Sequence, residues 1–120
     1  MNNMTTKQIA QMLVDLCRQG DFATCYDQLY SPDCISIEPK GAMMEIATGM
    51  TEINEKGKNW NSQVAEMHGA QIDDPIVAGN FFSCRMWNDI TFKNGERIEM
   101  DEICLYEVKD GKIVKEQFFY

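Results

Sequence analysis

"EMDEICLYEVKDGKIVKEQFFY", residues 99–120, reads as two β-strands joined by a tight turn. Alternate residues of a strand share a face, so Glu102 falls in one row with Tyr106, and Glu116 falls in one row with Phe118. A half-buried strand normally keeps acidic side chains off its core face. Either the strand register differs from this pattern, or Glu102 and Glu116 line a cavity.

Upstream of these strands, helical spacing of apolar residues and capping residues predict three helices. The predicted helices span residues 5–18, 21–29 and 51–62. Ser31-Pro32-Asp33 indicates a turn, and "CISIEP" a short strand that ends at Pro39. A further short strand is predicted at residues 44–46, and long strands at residues 64–72, 76–92 and 99–120. Helices followed by a meander of strands predict an α+β fold, with the helices packed on a strongly curved, antiparallel or mixed sheet that forms a cone with an internal pocket.

Length and composition favour one globular domain, residues 1–120, because 44% of the 120 residues are apolar and 25% are charged. The net charge of −8 comes without a basic stripe. Nucleic acid and anionic membrane surfaces are therefore not expected as partners.

The five cysteines include no C-x-x-C pair. An odd number without paired spacing argues against a disulfide framework and against a zinc site, and indicates free thiols in a reducing compartment. The first twenty residues are polar and amphipathic, unlike a signal peptide. The sequence therefore predicts a cytoplasmic protein, and nothing in it indicates a cofactor.

Three segments carry a family resemblance: "YSPDCISIEP", "GMTEINEKGKNW" and "EICLYEVKDGKIVKEQFFY". In this order they resemble the nuclear transport factor two-like superfamily, and within it the SnoaL-like and ketosteroid-isomerase-like branch. The resemblance implies a pocket between sheet and helices, and pairing of two copies through the convex sheet face. It leaves the activity open, because this fold hosts several enzyme classes and also non-enzymatic binding domains.

The pairing of the last three strands decides which side chains enter the pocket. A two-residue turn at Asn94-Gly95 would pair Lys93 with Glu96. A bulged turn around Gly111 would pair Val108 with Lys112. With these registers the concave face carries Arg85, Trp87, Asp89, Met100, Glu102, Tyr106 and Glu116. The convex face then carries Phe82, Cys84, Met86, Ile103 and Leu105, an apolar stripe that predicts a homodimer interface.

Glu38 and His68 are the candidate general bases. In ketosteroid isomerase the base is the carboxylate directly before a proline at the end of the first strand, and "SIEP" places Glu38 there, although that family has Asp. The only histidine, His68, could move a proton at neutral pH, but Gly69 beside it suggests a bulge, so its face stays open. Each of these residues could equally be exposed and structural.

Asp89 and Glu102 are the candidate catalytic acids, and together with Glu116 they form a predicted acid cluster. Like charges in one cavity raise pKa values, and a protonated carboxyl can donate to an oxyanion. Alternatively, Arg85 neutralises the cluster as a structural ion-pair network. The predicted ligand-binding residues are Trp60, Arg85, Trp87, Tyr106 and Glu116. No ligand spacing supports a metal site.

Three functions fit these residues. The first is a cofactor-independent isomerase, cyclase or dehydratase that uses carboxylate or histidine acid–base chemistry on a mostly apolar carbonyl compound. The second is a ligand-binding module without chemistry, and the third is a dimerisation module.

Overall fold

The structure, a computed structural model, describes residues 4–120. Its elements are α1 (Thr6–Arg18), α2 (Phe22–Leu29), β1 (Tyr30–Ile37), β2 (Ile46–Thr48), α3 (Met50–Gln63), β3 (Val64–Ile72), β4 (Ile76–Ala78), β5 (Phe81–Phe92), β6 (Arg97–Lys109) and β7 (Lys112–Phe119). The three predicted helices and the strands at residues 64–72 and 99–120 are present. The strand predicted at residues 76–92 is instead two strands, β4 and β5, which pair with each other across a turn at Gly79-Asn80.

The strands form one sheet in the order β2-β1-β7-β6-β5-β3, with β4 paired to β5. β1 and β7 run parallel, and the other pairs are antiparallel. The helices pack on one face of this mixed sheet and enclose a core between the two layers. The α+β fold class that the sequence predicts is confirmed.

α1 shows how local sequence and packing agree. Thr5 and Gln8 form a capping box at its N-terminus, which satisfies two backbone N–H groups that would otherwise lack a partner. Ile9 and Leu13 lie on one side of the helix and are fully buried against the sheet. Each such side chain contributes roughly 2 kcal/mol of burial free energy.

Two predictions in the N-terminal half are shifted. Ser31-Pro32-Asp33 is part of β1, at the place where its register with β7 shifts. The short strand expected at residues 44–46 lies instead at Ile46–Thr48, where it pairs with the end of β1.

The hairpin between β6 and β7 turns through two residues, not through the predicted bulged turn. Asp110 and Gly111 both have positive φ, 53° and 74°, and Lys109 lies opposite Lys112. A bulge follows, because Val108 pairs with Ile113 while Glu107 pairs with Lys115. The bulge offsets the changed turn, so Glu116 lies opposite Tyr106 and faces the core as predicted.

The hairpin between β5 and β6 also differs from its prediction, and here nothing offsets the change. The Phe92 N–H donates to the Glu96 carbonyl at 2.8 Å, and the Gly95 N–H donates to the Phe92 carbonyl at 2.9 Å. The loop therefore has three residues, with Gly95 at φ 92°. The register moves by one residue, and Met86 instead of Trp87 lies opposite Glu102.

A shift of one residue exchanges the two faces of β5. Phe82, Cys84 and Met86, predicted on the convex face, lie on the side of the helices, and Phe82 is buried against the Tyr106 ring. Arg85, Trp87 and Asp89, predicted inside the pocket, lie on the opposite, helix-free face, which is called the outer face below. The prediction was wrong for these six residues because the turn type was wrong.

Candidate functional site

Polar side chains meet at the centre of the sheet, on the face that the helices cover. Ser36 of β1 lies beside Glu116 of β7 in the parallel pair. Glu38 follows just beyond the end of β1, and α3 supplies Lys56. Ser36 and Glu38 lie on the same face because every second residue from Cys34 to Glu38 turns to the same side of the strand.

Glu116 is the innermost acid, with only 2% of its surface exposed. It accepts hydrogen bonds from the Tyr30 hydroxyl and, at 2.6 Å, from the Ser36 hydroxyl. Burial raises the pKa of Glu116, and the two hydroxyl donors act in the opposite direction.

Lys56 is the cation of the site. Its Nζ donates to the Ser36 Oγ and lies 3.3 Å from Glu38 Oε1. The Lys56 and Glu38 side chains are 18% and 16% exposed, so water screens this ion pair only partly. Lys56 Nζ also lies 5.2 Å from the centre of the Phe118 ring, within cation–π distance.

Glu38 lies at the outer end of this network. The Tyr120 hydroxyl donates to Glu38 Oε2 at 3.2 Å. Burial, followed by the charge of Glu38, raises the pKa of Tyr120 to about 12, so the hydroxyl keeps its proton at neutral pH. Glu38 thus contacts both an ammonium group and a phenol hydroxyl.

Glu102 lies on the same side of the sheet and has a different protonation behaviour. Burial raises its pKa to about 7, and the charges of Glu38 and Glu116 act in the same direction. The Cys104 thiol donates to Glu102 Oε1 at 3.6 Å. At neutral pH, Glu102 therefore exists in both its acid and its carboxylate form.

Together these residues provide a proton acceptor and a proton donor on one side of the sheet. Glu38 can take a proton, and neutral Glu102 can donate to an oxygen that gains negative charge. Glu102, Glu38 and Phe118 are half-buried, so part of each residue is open to water.

Glu102, Tyr106 and Glu116 lie together on the helix-covered side of the sheet, as the alternation predicts. That they line one shared cavity stays a prediction. Tyr106 itself is buried, and its ring stacks on Phe82 with 4.7 Å between ring centres.

Two predicted catalytic residues lie away from this group. His68 is the extra residue of a bulge in β3, as Gly69 suggested, and its Nε2 lies 2.7 Å from the Thr91 hydroxyl on the outer face. Asp89 pairs there with Arg97 at 2.8 Å, and this hydrogen-bonded ion pair lowers the pKa of Asp89 instead of raising it. Neither side chain shares a face with Glu102.

The predicted ligand-binding residues divide between the two faces. Arg85 pairs with Asp101 at 2.8 Å on the outer face, so it does not neutralise Glu102 and Glu116. Trp87 lies over Gly69 on that face, where a Cβ on Gly69 would be 3.4 Å from the indole. Trp60 of α3 contacts the Phe92 ring edge-on, with 5.5 Å between the centres.

Two surface depressions adjoin this aromatic pair. They have volumes of about 400 and 440 Å³ and share Ser62 at the end of α3. Phe92 lines the first, and Met44 and Asn59 line the second. Neither of the two is lined by Glu38, Glu102 or Glu116.

Sequence reasoning missed four members of the network: Tyr30, Ser36, Lys56 and Tyr120. A signal exists for two of them. Ser36 alternates with buried Cys34 and with Glu38, and Lys56 lies three residues after buried Ile53 on α3. The Tyr30 hydroxyl reaches Glu116, and the Tyr120 hydroxyl reaches Glu38, only because β1 pairs with β7.

Within residues 4–120, no group of three or more His, Cys, Asp or Glu side chains has an arrangement that could hold a metal ion. No helix in this range is long and apolar enough to cross a membrane.

Comparison with known proteins gives consistent matches. A family model described as SnoaL-like domain matches residues 4–120. The search of curated proteins gave no match. Among solved structures, a Mesorhizobium loti protein, described as a proposed SnoaL-like polyketide cyclase and as a carbohydrate phosphatase, is 36% identical. The match covers 98% of this chain and 100% of that chain, with a TM-score of 0.91.

More distant structures share the fold alone. A nuclear transport factor two-like protein from Burkholderia thailandensis is 18% identical, with a TM-score of 0.83 over 99% of this chain and 91% of that chain. A Catenulispora acidiphila protein with a ketosteroid-isomerase-like fold, in complex with trimethylamine, is 16% identical, with a TM-score of 0.73 over 97% and 87% of the two chains.

Proposed function

The chain belongs to the SnoaL-like domain family, and from that premise we propose that it binds a mostly apolar carbonyl compound and moves a proton on it. The observation that carries this proposal is the pair of unlike carboxyl groups. Glu38 contacts the Lys56 ammonium group and the Tyr120 hydroxyl, whereas burial raises the pKa of Glu102 to about 7. Two carboxyl groups in such different surroundings suit a general base and a general acid.

The proposed reaction begins when a Glu38 oxygen removes a proton from the carbon next to the substrate carbonyl. The electrons of the broken C–H bond move to the carbonyl oxygen and form an enolate. Neutral Glu102 donates to this oxygen and lowers the free energy of the enolate. In a β,γ-unsaturated ketone, return of the proton from Glu38 to the γ carbon gives the conjugated isomer. Attack of the enolate carbon on a second carbonyl of the same molecule forms a C–C bond and closes a ring, and the alkoxide formed there takes the proton from Glu38.

The wall of the site suits such a substrate. Met86, Met100 and Phe118 lie on the same face as Glu102 and are half-buried. Flexible methionines beside an aromatic ring adapt to flat apolar molecules. The Mesorhizobium loti relative, for which a polyketide cyclase activity has been proposed, supports the same substrate class.

Deuterium exchange tests the proton transfer directly. The probe is 2-tetralone, a flat apolar ketone, incubated with the protein in D₂O at pH 7, and NMR follows loss of the protons beside the carbonyl. We expect the wild type to exceed the buffer rate at least tenfold and Glu38→Gln to lose most of this excess. Glu55→Gln changes an exposed acid on α3 and should match the wild type.

The alternative is a ligand-binding module without chemistry. The ion pair of Lys56 with Glu38 favours it, because a satisfied carboxylate can be purely structural. If the wild type binds 2-tetralone but does not exceed the buffer exchange rate, the binding module replaces the enzyme. If it neither binds nor exchanges, both forms of the proposal fail.

We also propose that the protein forms a homodimer through the outer face. Ile103, Leu105 and Phe119 are exposed there, and Ile103 lies directly opposite Phe119 on the neighbouring strand. Contiguous apolar side chains on a sheet are typical of interfaces.

A further inference from the structure

Asn88 has a buried polar atom without a partner. Among the described residues 4–120, its Oδ1 is the one buried side-chain oxygen or nitrogen that has no hydrogen bond. The residue lies in the middle of β5 and belongs to its helix-covered face, two residues before fully buried Ile90.

Asn88 is also a neighbour of Glu102. Asn88 lies opposite Met100, and Met86 lies opposite Glu102, so the two polar residues are diagonal on adjacent strands of one face. Diagonal neighbours have side chains roughly 7 Å apart. A flat bicyclic molecule is long enough to span that separation.

An unpaired buried acceptor is unfavourable for the folded state, because it has lost its hydrogen bond with water. Leucine has a similar volume and would fill this position without that cost. In a site built for a ligand, such an acceptor receives a hydrogen bond from the ligand instead.

We propose that Asn88 is a ligand-binding residue whose side-chain carbonyl accepts a hydrogen bond from a hydroxyl group of the substrate, beside the carbonyl group that Glu102 contacts. The substrate is then a flat hydroxy-carbonyl compound, such as a phenolic or enolic ketone. This inference rests on the proposed function, because it uses the same side of the sheet and Glu102 as the second contact.

A matched pair of probes tests Asn88 separately from catalysis. 2-Naphthol and 2-methylnaphthalene have nearly the same shape, but only the first can donate a hydrogen bond. Dissociation constants come from NMR titration of the amide signals of the protein. We expect the wild type to prefer 2-naphthol at least tenfold, Asn88→Leu to lose this preference, and Asn88→Asp, which keeps an acceptor, to retain part of it.

Ser83→Ala, a change on the outer face of the same strand, should keep the wild-type preference. The thermal midpoint of Asn88→Leu should equal or exceed that of the wild type, because an unpaired polar group is removed. A midpoint lower by 5 °C or more would assign Asn88 a structural role and overturn the proposal. No preference for 2-naphthol in the wild type, or an undiminished one in Asn88→Leu, would overturn it as well.

The two proposals can fail independently. 2-Tetralone has no hydroxyl group, so a lack of deuterium exchange by the wild type refutes the catalytic function. The naphthol comparison and the thermal midpoint of Asn88→Leu test the role of Asn88.

Discussion

Glu102 shows how one residue acquires its chemistry from its surroundings. On a free strand it would be an ordinary acid, ionised at neutral pH. In the fold it is half-buried, and the charge of Glu38 raises its pKa further. Lys56 reaches Ser36 and Glu38 and only partly offsets the effect on Glu102.

The raised pKa of Glu102 makes stability depend on pH. The unfolded chain loses this proton near pH 4.5, whereas the folded protein keeps it to about pH 7. Between these values the folded state binds more protons, so the free energy of unfolding falls as pH rises and levels off above pH 7. Glu102 thus destabilises the fold at pH 8 by on the order of 1 to 3 kcal/mol.

Glu102→Gln removes this titration. We expect its thermal midpoint at pH 8 to exceed that of the wild type by about 4 °C or more, ~1 kcal/mol for a domain of this size. The difference should shrink toward pH 4.5. Calorimetry at both pH values checks it, with the exposed outer-face variant Glu99→Gln as control. A lower midpoint for Glu102→Gln at pH 8 would mean that the carboxylate stabilises the fold.

At the scale of elements, the two hairpins decide which side chains enter the site. The sequence predicts a two-residue turn at Asn94-Gly95, but these residues form part of a three-residue loop. At Asp110-Gly111 it predicts a bulged turn, but the structure has a two-residue turn. Each change moves the register by one residue. The bulge at Val114 restores the faces of β7, and no such bulge restores β5.

Gly95 makes the three-residue loop possible, because a φ of 92° is strained for any residue with a Cβ. Gly95→Ala should lower the free energy of unfolding by about 1 kcal/mol. Gly57 offers a matched control: it lies in α3, and a Cβ there meets nothing within 4 Å. Gly57→Ala should raise the free energy of unfolding by about 0.5–1 kcal/mol.

Urea unfolding of both glycine variants gives the two free energies. Equal effects on Gly95→Ala and Gly57→Ala would contradict a specific role for the loop conformation.

At the scale of the whole molecule, the sheet separates two chemistries. The helix-covered side holds Glu38, Glu102 and Glu116 together with Lys56 and Asn88. The outer face holds ion pairs such as Arg85 with Asp101, beside exposed Ile103 and Leu105. A ligand and a second copy of the chain would therefore use opposite faces.

The proposed dimer predicts a light-scattering mass of twice 13.8 kDa at micromolar concentration. Ile103→Lys places a charge in the apolar part of the outer face and should shift the mass toward the monomer. Phe22→Lys, which changes an exposed apolar residue of α2 on the helix-covered side, should leave the dimer intact. A monomer mass for the wild type would refute the interface.

The sequence by itself determined the fold class, the three helices and the placement of Glu102 and Glu116 on one side of the sheet. These features follow from local spacing: helical and alternating patterns depend on neighbours a few residues away. The resemblance in "SIEP" and in the last two strands pointed to the same family.

Only the tertiary structure decided the faces of β5 and the partners of the acids. Register depends on turn geometry, and a shift of one residue moves every side chain of β5 to the other face of the sheet. The shift places one set outside and the other under the helices: Arg85, Trp87 and Asp89 outside, and Phe82, Cys84 and Met86 under the helices. Lys56 and Tyr120 are distant in sequence from each other, and both reach Glu38 only after α3 and β7 pack against β1. Protonation follows from that packing, because burial and nearby charge, not residue type, separate the pKa of Glu102 from that of an ordinary glutamate.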